Sequence, residues 1–281
     1  MKCNYRLAGL SLVLMALAAP MSAIAQDAWD VHPYLSDKFH VGLGVYFPER
    51  SLKIGVDASV PGVSREIDLS EQFKLKNTET TESFELGWRF GKKWLVRGQH
   101  FSVGGSRSAT LGEDVQWGDY TFGAGTGVSA GIDVTISRLY FGYTIRRDDV
   151  QEFGVGGGLH RLDLSALISG QAIINNNPPE TASLSASTTG PLPNFGGWYV
   201  RSFSRRWAMM TRLDWLSASI DKYDGQIINA SVGVNFAMTR HFGIGLSYNY
   251  FELDIGIKDA HWRGDAEIRI NGPFVYLSAT W

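Results

Sequence analysis

The feature that most restricts this chain is a two-residue alternation of apolar and polar side chains that recurs from Phe39 to Trp281. In residues 226–238, Ile228, Ala230, Val232, Val234 and Phe236 alternate with Asn229, Ser231, Gly233 and Asn235. A period of two puts these sets on opposite faces of a β-strand. The next segment repeats it, with Phe242, Ile244, Leu246, Tyr248 and Tyr250 against Gly243, Gly245, Ser247 and Asn249. Further runs follow the same rule at 38–47, 83–90, 137–146, 150–160 and 206–215. After residue 25 no stretch supplies the ~20 consecutive apolar residues of a helical membrane span.

The connections between these runs sort into two classes. Gly91-Lys92-Lys93, Arg147-Asp148-Asp149, Ser204-Arg205-Arg206 and Thr239-Arg240-His241 are short. Longer ones lie near 59–80, 107–130, 170–192, 220–225 and 259–265. Short and long alternate along the chain. A soluble β-sandwich has no reason to sort its loops so, whereas an antiparallel transmembrane β-barrel has short turns on the periplasmic side and long loops outside. The sequence therefore predicts an all-β barrel of ten strands, near 38–58, 81–90, 93–106, 130–146, 150–169, 193–203, 206–219, 225–238, 241–258 and 265–281. Residues 48–80 alternate weakly; they form either an extracellular hairpin or two more strands, making twelve. Glu66, Asp68 and Glu71 favour the hairpin.

The two ends of the chain fit this reading. Lys2 and Arg6 precede an apolar run, Leu7 to Ala19, and Ala23-Ile24-Ala25 offers a small-residue cleavage site, so residues 1–25 read as a secretory signal peptide. Residues 26–37 would be a periplasmic N-terminal segment and 38–281 the barrel. Cleavage would remove Cys3, the only cysteine, and with it any disulfide or Cys-based metal site. Taking Lys2 and Arg6 from the 26 basic residues leaves 24 against 28 acidic ones, a net −4 that gives nucleic acid no footing. At the other end Val275, Leu277, Ala279 and Trp281 alternate up to a terminal aromatic. That pattern resembles the signal read by the barrel-assembly machinery, which makes the machinery and periplasmic chaperones expected partners during biogenesis.

Phe39 to Phe47, Glu66-Ile67-Asp68-Leu69, Tyr223-Asp224-Gly225, His241 to Tyr250 and Gly272-Pro273 to Trp281 together resemble a family of small proteobacterial outer-membrane β-barrel proteins of uncharacterised role. The resemblance covers most of the chain. It implies the fold and the outer membrane, with lipid and lipopolysaccharide as surroundings, and implies no activity.

Candidate chemistry is sparse. The six histidines are scattered and no metal or cofactor motif is present. Gly154 to Gly158 is glycine-rich but precedes no helix, so it gives strands room rather than binding a nucleotide. His100 and Ser102 share a strand face, where an imidazole can serve a hydroxyl as base. The pair is similar to the His-x-Ser of outer-membrane lipid A deacylases, but Val103 replaces that family's Asn, and only Glu113 and Asp114 are nearby acids. An omptin-like protease would need facing Asp/His and Asp/Asp pairs. His160 and Asp163 fall on opposite faces, leaving Asp221, Asp224, Asp259, His261 and Asp265 in neighbouring loops. Trp88, Phe90, Trp94, Trp207 and Phe242, with Trp281, form one aromatic girdle near the short turns. Finally, Glu85, Arg97, Arg138, Glu152, Arg201, Arg212 and Asp214 are placed inside, facing a glycine wall of Gly42, Gly44, Gly233, Gly243 and Gly245. This predicts a lumen plugged by mutually neutralising charges, with a narrow tunnel as the alternative. The expected role is structural, surface-interacting or limited to small solutes, with an outer-membrane hydrolase as the alternative.

Overall fold

The computed structural model describes residues 29–57, 64–68, 81–111, 114–117, 120–174, 180–220, 223–258 and 263–281. The predicted signal peptide, Glu113, Asp221, Asp259 and His261 lie outside these residues. Val31–Trp281 form one compact unit. It opens with a four-residue helix, α1 (Pro33–Ser36), followed by β1 (Phe39–Tyr46), β2 (Glu49–Asp57), β3 (Ser64–Asp68), β4 (Thr81–Phe90), β5 (Trp94–Thr110), β6 (Val115–Trp117) and β7 (Tyr120–Phe122). The long strands β8 (Gly127–Arg147), β9 (Gln151–Ile174), β10 (Glu180–Ser202), β11 (Trp207–Ile220), β12 (Tyr223–Ala237), β13 (Phe242–Lys258) and β14 (Arg263–Thr280) complete it.

Ten strands close the wall in the order β1-β4-β5-β8-β9-β10-β11-β12-β13-β14, and β14 returns to β1 antiparallel, Leu277 opposite Leu43. Closure pairs both edges of each of the ten wall strands, which a membrane-spanning sheet requires. β2 continues β1 past Phe47-Pro48 and keeps to β14, Ile268 opposite Leu52. β3 pairs with β2 alone. The described part of segment 48–80, β2 with β3, therefore adds a hairpin at the long-loop end, not two further wall strands. β6 and β7 build a small annex there, with β7 against β9.

Strand lengths correct the loop boundaries. Residues 170–192, expected as a loop, are mostly paired: β9 runs to Ile174 and β10 starts at Glu180. β9 has 24 residues, about 80 Å at ~3.3 Å per residue, whereas a span needs only ~9–11. The hairpin rises far beyond any membrane. Its sequence, rich in Ser and Thr with only small or isolated apolar residues between them, hid the strand signal.

Along these strands the alternation changes phase. On β8 the exposed apolar residues Leu139, Phe141 and Ile145 occupy odd positions, but the apolar residues Val134 and Ile136 occupy even positions and are buried. On β13 Phe242, Ile244, Leu246 and Tyr248 face out, whereas Phe251 and Leu253 face in. On β14 Val275 and Leu277 face out, and Ile268 and Ile270 face in. The barrel is thus apolar outside and polar inside at its short-turn end, and the reverse beyond. The upper interior is a continuous apolar core including Phe101, Val134, Leu162, Ile227, Phe251 and Ile270.

Candidate functional site

The lower lumen holds the polar residues, and the strand pleat decides which. Glu85, Arg97, Arg138, Glu152, Arg212 and Asp214 turn inward. Arg201 does not. Trp198 and Val200 are buried inside the barrel, so the odd positions of β10 face out and Arg201 is exposed on the outer wall. The inward indole is allowed by glycine: a Cβ on Gly154 would lie 2.3 Å from the Trp198 ring, and one on Gly142 would lie 2.5 Å from it. Arg201 was expected inside; with the indole fitting inside opposite two glycines, it is turned out.

The inward groups form a chain of bonds across the barrel. Arg138 Nη2 meets Asp214 at 2.6 Å and 2.8 Å, both side chains 1% exposed. Arg212 lies 3.7 Å from the same carboxylate and donates to Gln99 Oε1 at 2.9 Å. Gln99 in turn donates to Glu85 at 3.1 Å. Arg89 Nη2 lies 2.8 Å from Glu152, which also accepts from Trp198 Nε1 at 2.7 Å. Arg97 packs over the Trp198 ring, 5.5 Å from its centroid, and Arg138 over Tyr140 at 4.4 Å. Asn229 and His160 Nε2 bond at 3.0 Å. Arg89, Gln99, His160 and Asn229 belong to this network although the sequence reading did not assign them to it; their inward parity on strands already identified was the available signal.

The N-terminal segment supplies a part that the sequence reading placed in the periplasm. Residues 31–37 fold into the short-turn mouth, burying Tyr34 and Leu35 against Leu95, Tyr140, Trp198 and Val200. Arg89 Nη1 donates to the Asp37 carbonyl at 2.8 Å and Nη2 to the Tyr34 carbonyl at 2.7 Å. Arg240, in the β12–β13 turn, donates twice to the Asp37 carboxylate, one bond at 2.6 Å. His32 Nδ1 accepts the Tyr34 amide at 3.2 Å. Burial lowers the His32 imidazole to about 4, against weaker opposing effects from backbone bonds and Asp37. Burial would raise the Asp37 carboxyl, but Arg240 and Ser36 together hold it below its ordinary value.

Above this plug the lumen narrows to a cavity of ≈60 Å³ bordered by Tyr34, His40, Glu85, Arg97, Arg212 and Tyr276. The glycine wall does not stand empty: the Tyr276 ring covers Gly245, where a Cβ would come within 2.1 Å of it.

His100 and Ser102 both face out, but His100 Nδ1 lies 2.8 Å from Ser137 Oγ, across the β5–β8 pair. Ser102 Oγ lies 2.9 Å from Thr135 Oγ1 instead. Asp114 accepts the Ala124 amide at 2.7 Å. Of the protease-like set, His160 points inward and Asp163 pairs with Arg161 on the exposed face at 3.2 Å. Asp224 stands opposite Ser219 and Asp265 opposite Gly256. Trp88, Trp94, Trp207, Phe242 and Trp281 are exposed around the short-turn rim, and Phe90 packs beside Trp88 at 5.0 Å. Val275, Leu277 and Trp281 are exposed on the same outer wall and Ala279 is partly so. Among the described residues no three His, Cys, Asp or Glu are grouped to hold a metal ion.

A closed ten-stranded antiparallel barrel with long strands, an apolar lower wall and an aromatic rim defines the outer-membrane barrel fold. The fold is similar to that of the outer-membrane protease OmpT from Escherichia coli, with a TM-score of 0.60 at 9% identity, covering 92% of this chain and 100% of that one. More distant are the toluene transporter TodX of Pseudomonas putida (TM-score 0.34, 9% identity, 89% and 92% covered) and OprG of Pseudomonas aeruginosa (0.33, 12%, 89% and 98%). No protein-family model matches the chain, and no curated protein sequence matches it. At these identities the likeness defines the fold and not an activity.

Proposed function

We propose that the protein is an integral outer-membrane barrel of Gram-negative type, closed to solute flow, whose working surface is the strand-built head beyond the lipid. The observation that carries this reading is that the interior is occupied at three levels: the plug, the ionic network and the apolar core. Ten strands lie close to the roughly eight whose side chains fill a barrel, and far from the 16–18 that leave an aqueous channel. The exposed lower belt, with Leu139, Phe153, Leu213 and Val232, suits lipid and lipopolysaccharide acyl chains. The plug, the short-turn rim and the end of the closing strand then face the periplasm, where Val275 to Trp281 is offered to the assembly machinery after chaperoned transit. The long hairpins serve a structural or surface-interaction role. Purified protein in a planar bilayer is expected to give no steady porin-scale conductance. Large stable channels would overturn the closed reading and put solute passage first.

One observation favours a second reading, an outer-membrane hydrolase: the His100–Ser137 bond sits where the outer wall passes from apolar to polar. A lipid ester reaches that level, and an imidazole there can take a serine proton. Mass spectra of lipid A from cells with and without the protein test it. A deacylated species lost in Ser137→Ala supports it, and unchanged lipid A removes it.

A further inference from the structure

Below the level where the two faces exchange polarity, four described guanidinium groups point inward, Arg89, Arg97, Arg138 and Arg212, against three carboxylates, Glu85, Glu152 and Asp214. The inward imidazoles His40 and His160 carry no negative charge to offset the difference. Glu152 is taken by Arg89 at 2.8 Å and Asp214 by Arg138 at 2.6 Å, with Arg212 at 3.7 Å. Glu85 accepts from the Gln99 amide. Arg97 remains: no carboxylate of the described residues lies within ion-pair distance, Glu152 and Glu85 attract it only from further off, and it packs over the Trp198 ring. Its Nε is buried without a hydrogen-bond partner; the Arg212 Nε, 3.7 Å from Asp214, makes no hydrogen bond either, and the Tyr276 hydroxyl has the Tyr34 and Asn235 side chains as its polar neighbours. Arg97, Arg212 and Tyr276 border the same ≈60 Å³ cavity.

A buried charge without a counter-charge is strongly unfavourable. Several donors around one small cavity, with one excess positive charge, define what would settle there. We propose that this cavity is a binding site for a single small monovalent anion of halide size, held by Arg97 and Arg212 with the Tyr276 hydroxyl. The room is that of a few water molecules, too little for phosphate with its shell. Glu85 on the same lining repels a second negative charge and so sets the limit at one. The ion completes the luminal charge balance, and Tyr34 of the plug closes the cavity from the short-turn side. This goes beyond the closed-lumen reading and is tested apart from it, since conductance and a resident ion are read by different experiments.

The test is to refold the protein into detergent micelles in sodium bromide and to crystallise it. Anomalous difference density for bromide is expected in the cavity, in contact with the Arg97 guanidinium. In parallel, the unfolding midpoint should be higher in bromide than in gluconate, an anion too large for the cavity, at equal ionic strength. Arg97→Gln should abolish that difference. Glu85→Gln, which removes the competing negative charge, should tighten bromide binding by about tenfold or more. If Arg97→Gln does not refold, Glu85→Gln carries the test alone. Water-only density, equal midpoints in the two salts, or a Glu85→Gln variant with unchanged bromide response would each overturn the proposal.

Discussion

Arg89 Nη2 lies 2.8 Å from Glu152 Oε2, and the same nitrogen donates to the Tyr34 carbonyl at 2.7 Å, so one guanidinium joins β4, β9 and the plug. Glu152 is wholly buried. Arg89→Ala would remove its ion-pair partner and leave the Trp198 indole as its one hydrogen-bond donor among the described residues, and should cost about 3–5 kcal/mol. The plug should undock at the same time. Reversible unfolding in detergent reads the first effect, and limited proteolysis near residues 31–37 the second. Arg201→Ala is the control: exposed on the outer wall, it should change stability by less than about 0.5 kcal/mol. A larger loss from Arg201 than from Arg89 would restore the parity of β10 expected from sequence.

Much of this wall was legible because a period of two leaves no freedom: once Leu139 and Phe141 face out, Arg138 must face in. The misplacement was Arg201, set inside by the sequence but exposed on the outer wall. Trp198 is apolar enough for lipid, and only the facing glycines, Gly142 and Gly154 on neighbouring strands, make room for it inside. Cross-strand register, which sequence does not show, brings them together. The phase change was written in the chain, as in Phe251-Glu252-Leu253-Asp254 after Tyr248-Asn249-Tyr250. It marks where lipid gives way to water outside the strand. The plug carried no periodic signal, since Arg89 and Arg240 hold it through contacts far apart in sequence.

The docked plug should weaken in mild acid. His32 has a docked value of about 4, lowered by burial, against 6.5 when free. The docked state therefore binds fewer protons, so docking is at full strength above the free value and declines as pH falls from 6.5 towards 4. Asp37, held below its usual value by Arg240, acts only at lower pH: its contribution is lost as pH falls below the ordinary 3.8. Amide exchange in residues 34–37, corrected for intrinsic rates, should rise between about pH 7.5 and about pH 5. His32→Asn keeps a side-chain acceptor for the Tyr34 amide and should remove that rise. An unchanged rise in the variant would assign it to another group.

Gly154→Ala should be poorly tolerated for a reason local to one ring. Its Cβ would lie 2.3 Å from Trp198, which must move and release Glu152. Overpacking of this kind costs about 1–3 kcal/mol, and the lost buried bond adds to it. Trp198→Phe in the same chain should recover part of the loss, so the two substitutions should be non-additive in a double-mutant cycle. Gly91→Ala, at a turn with φ 60 and nothing near its Cβ, should cost about 1–2 kcal/mol of backbone strain alone. Additivity between Gly154 and Trp198 would mean the ring does not lie where the glycine admits it.

Two leucines separate the lower wall from the head. Leu213 is 55% exposed on the outer face of β11, and Leu253 is 2% exposed inside β13. If the lower wall faces hydrocarbon, Leu213→Arg should cost about 2–4 kcal/mol in lipid vesicles near mid-bilayer. In a detergent micelle, which deforms around a charge more readily, the loss should be smaller. Leu253→Ala should cost about 2–5 kcal/mol by opening a void in the apolar core, because its neighbours Phe251, Ile268 and Ile270 relax only in part. That loss should be the same in vesicle and micelle, since the head meets water in both. Equal losses for Leu213→Arg in the two media would show that this face does not meet lipid, whereas a lipid-dependent loss at Leu253 would move the polarity exchange further up the strands.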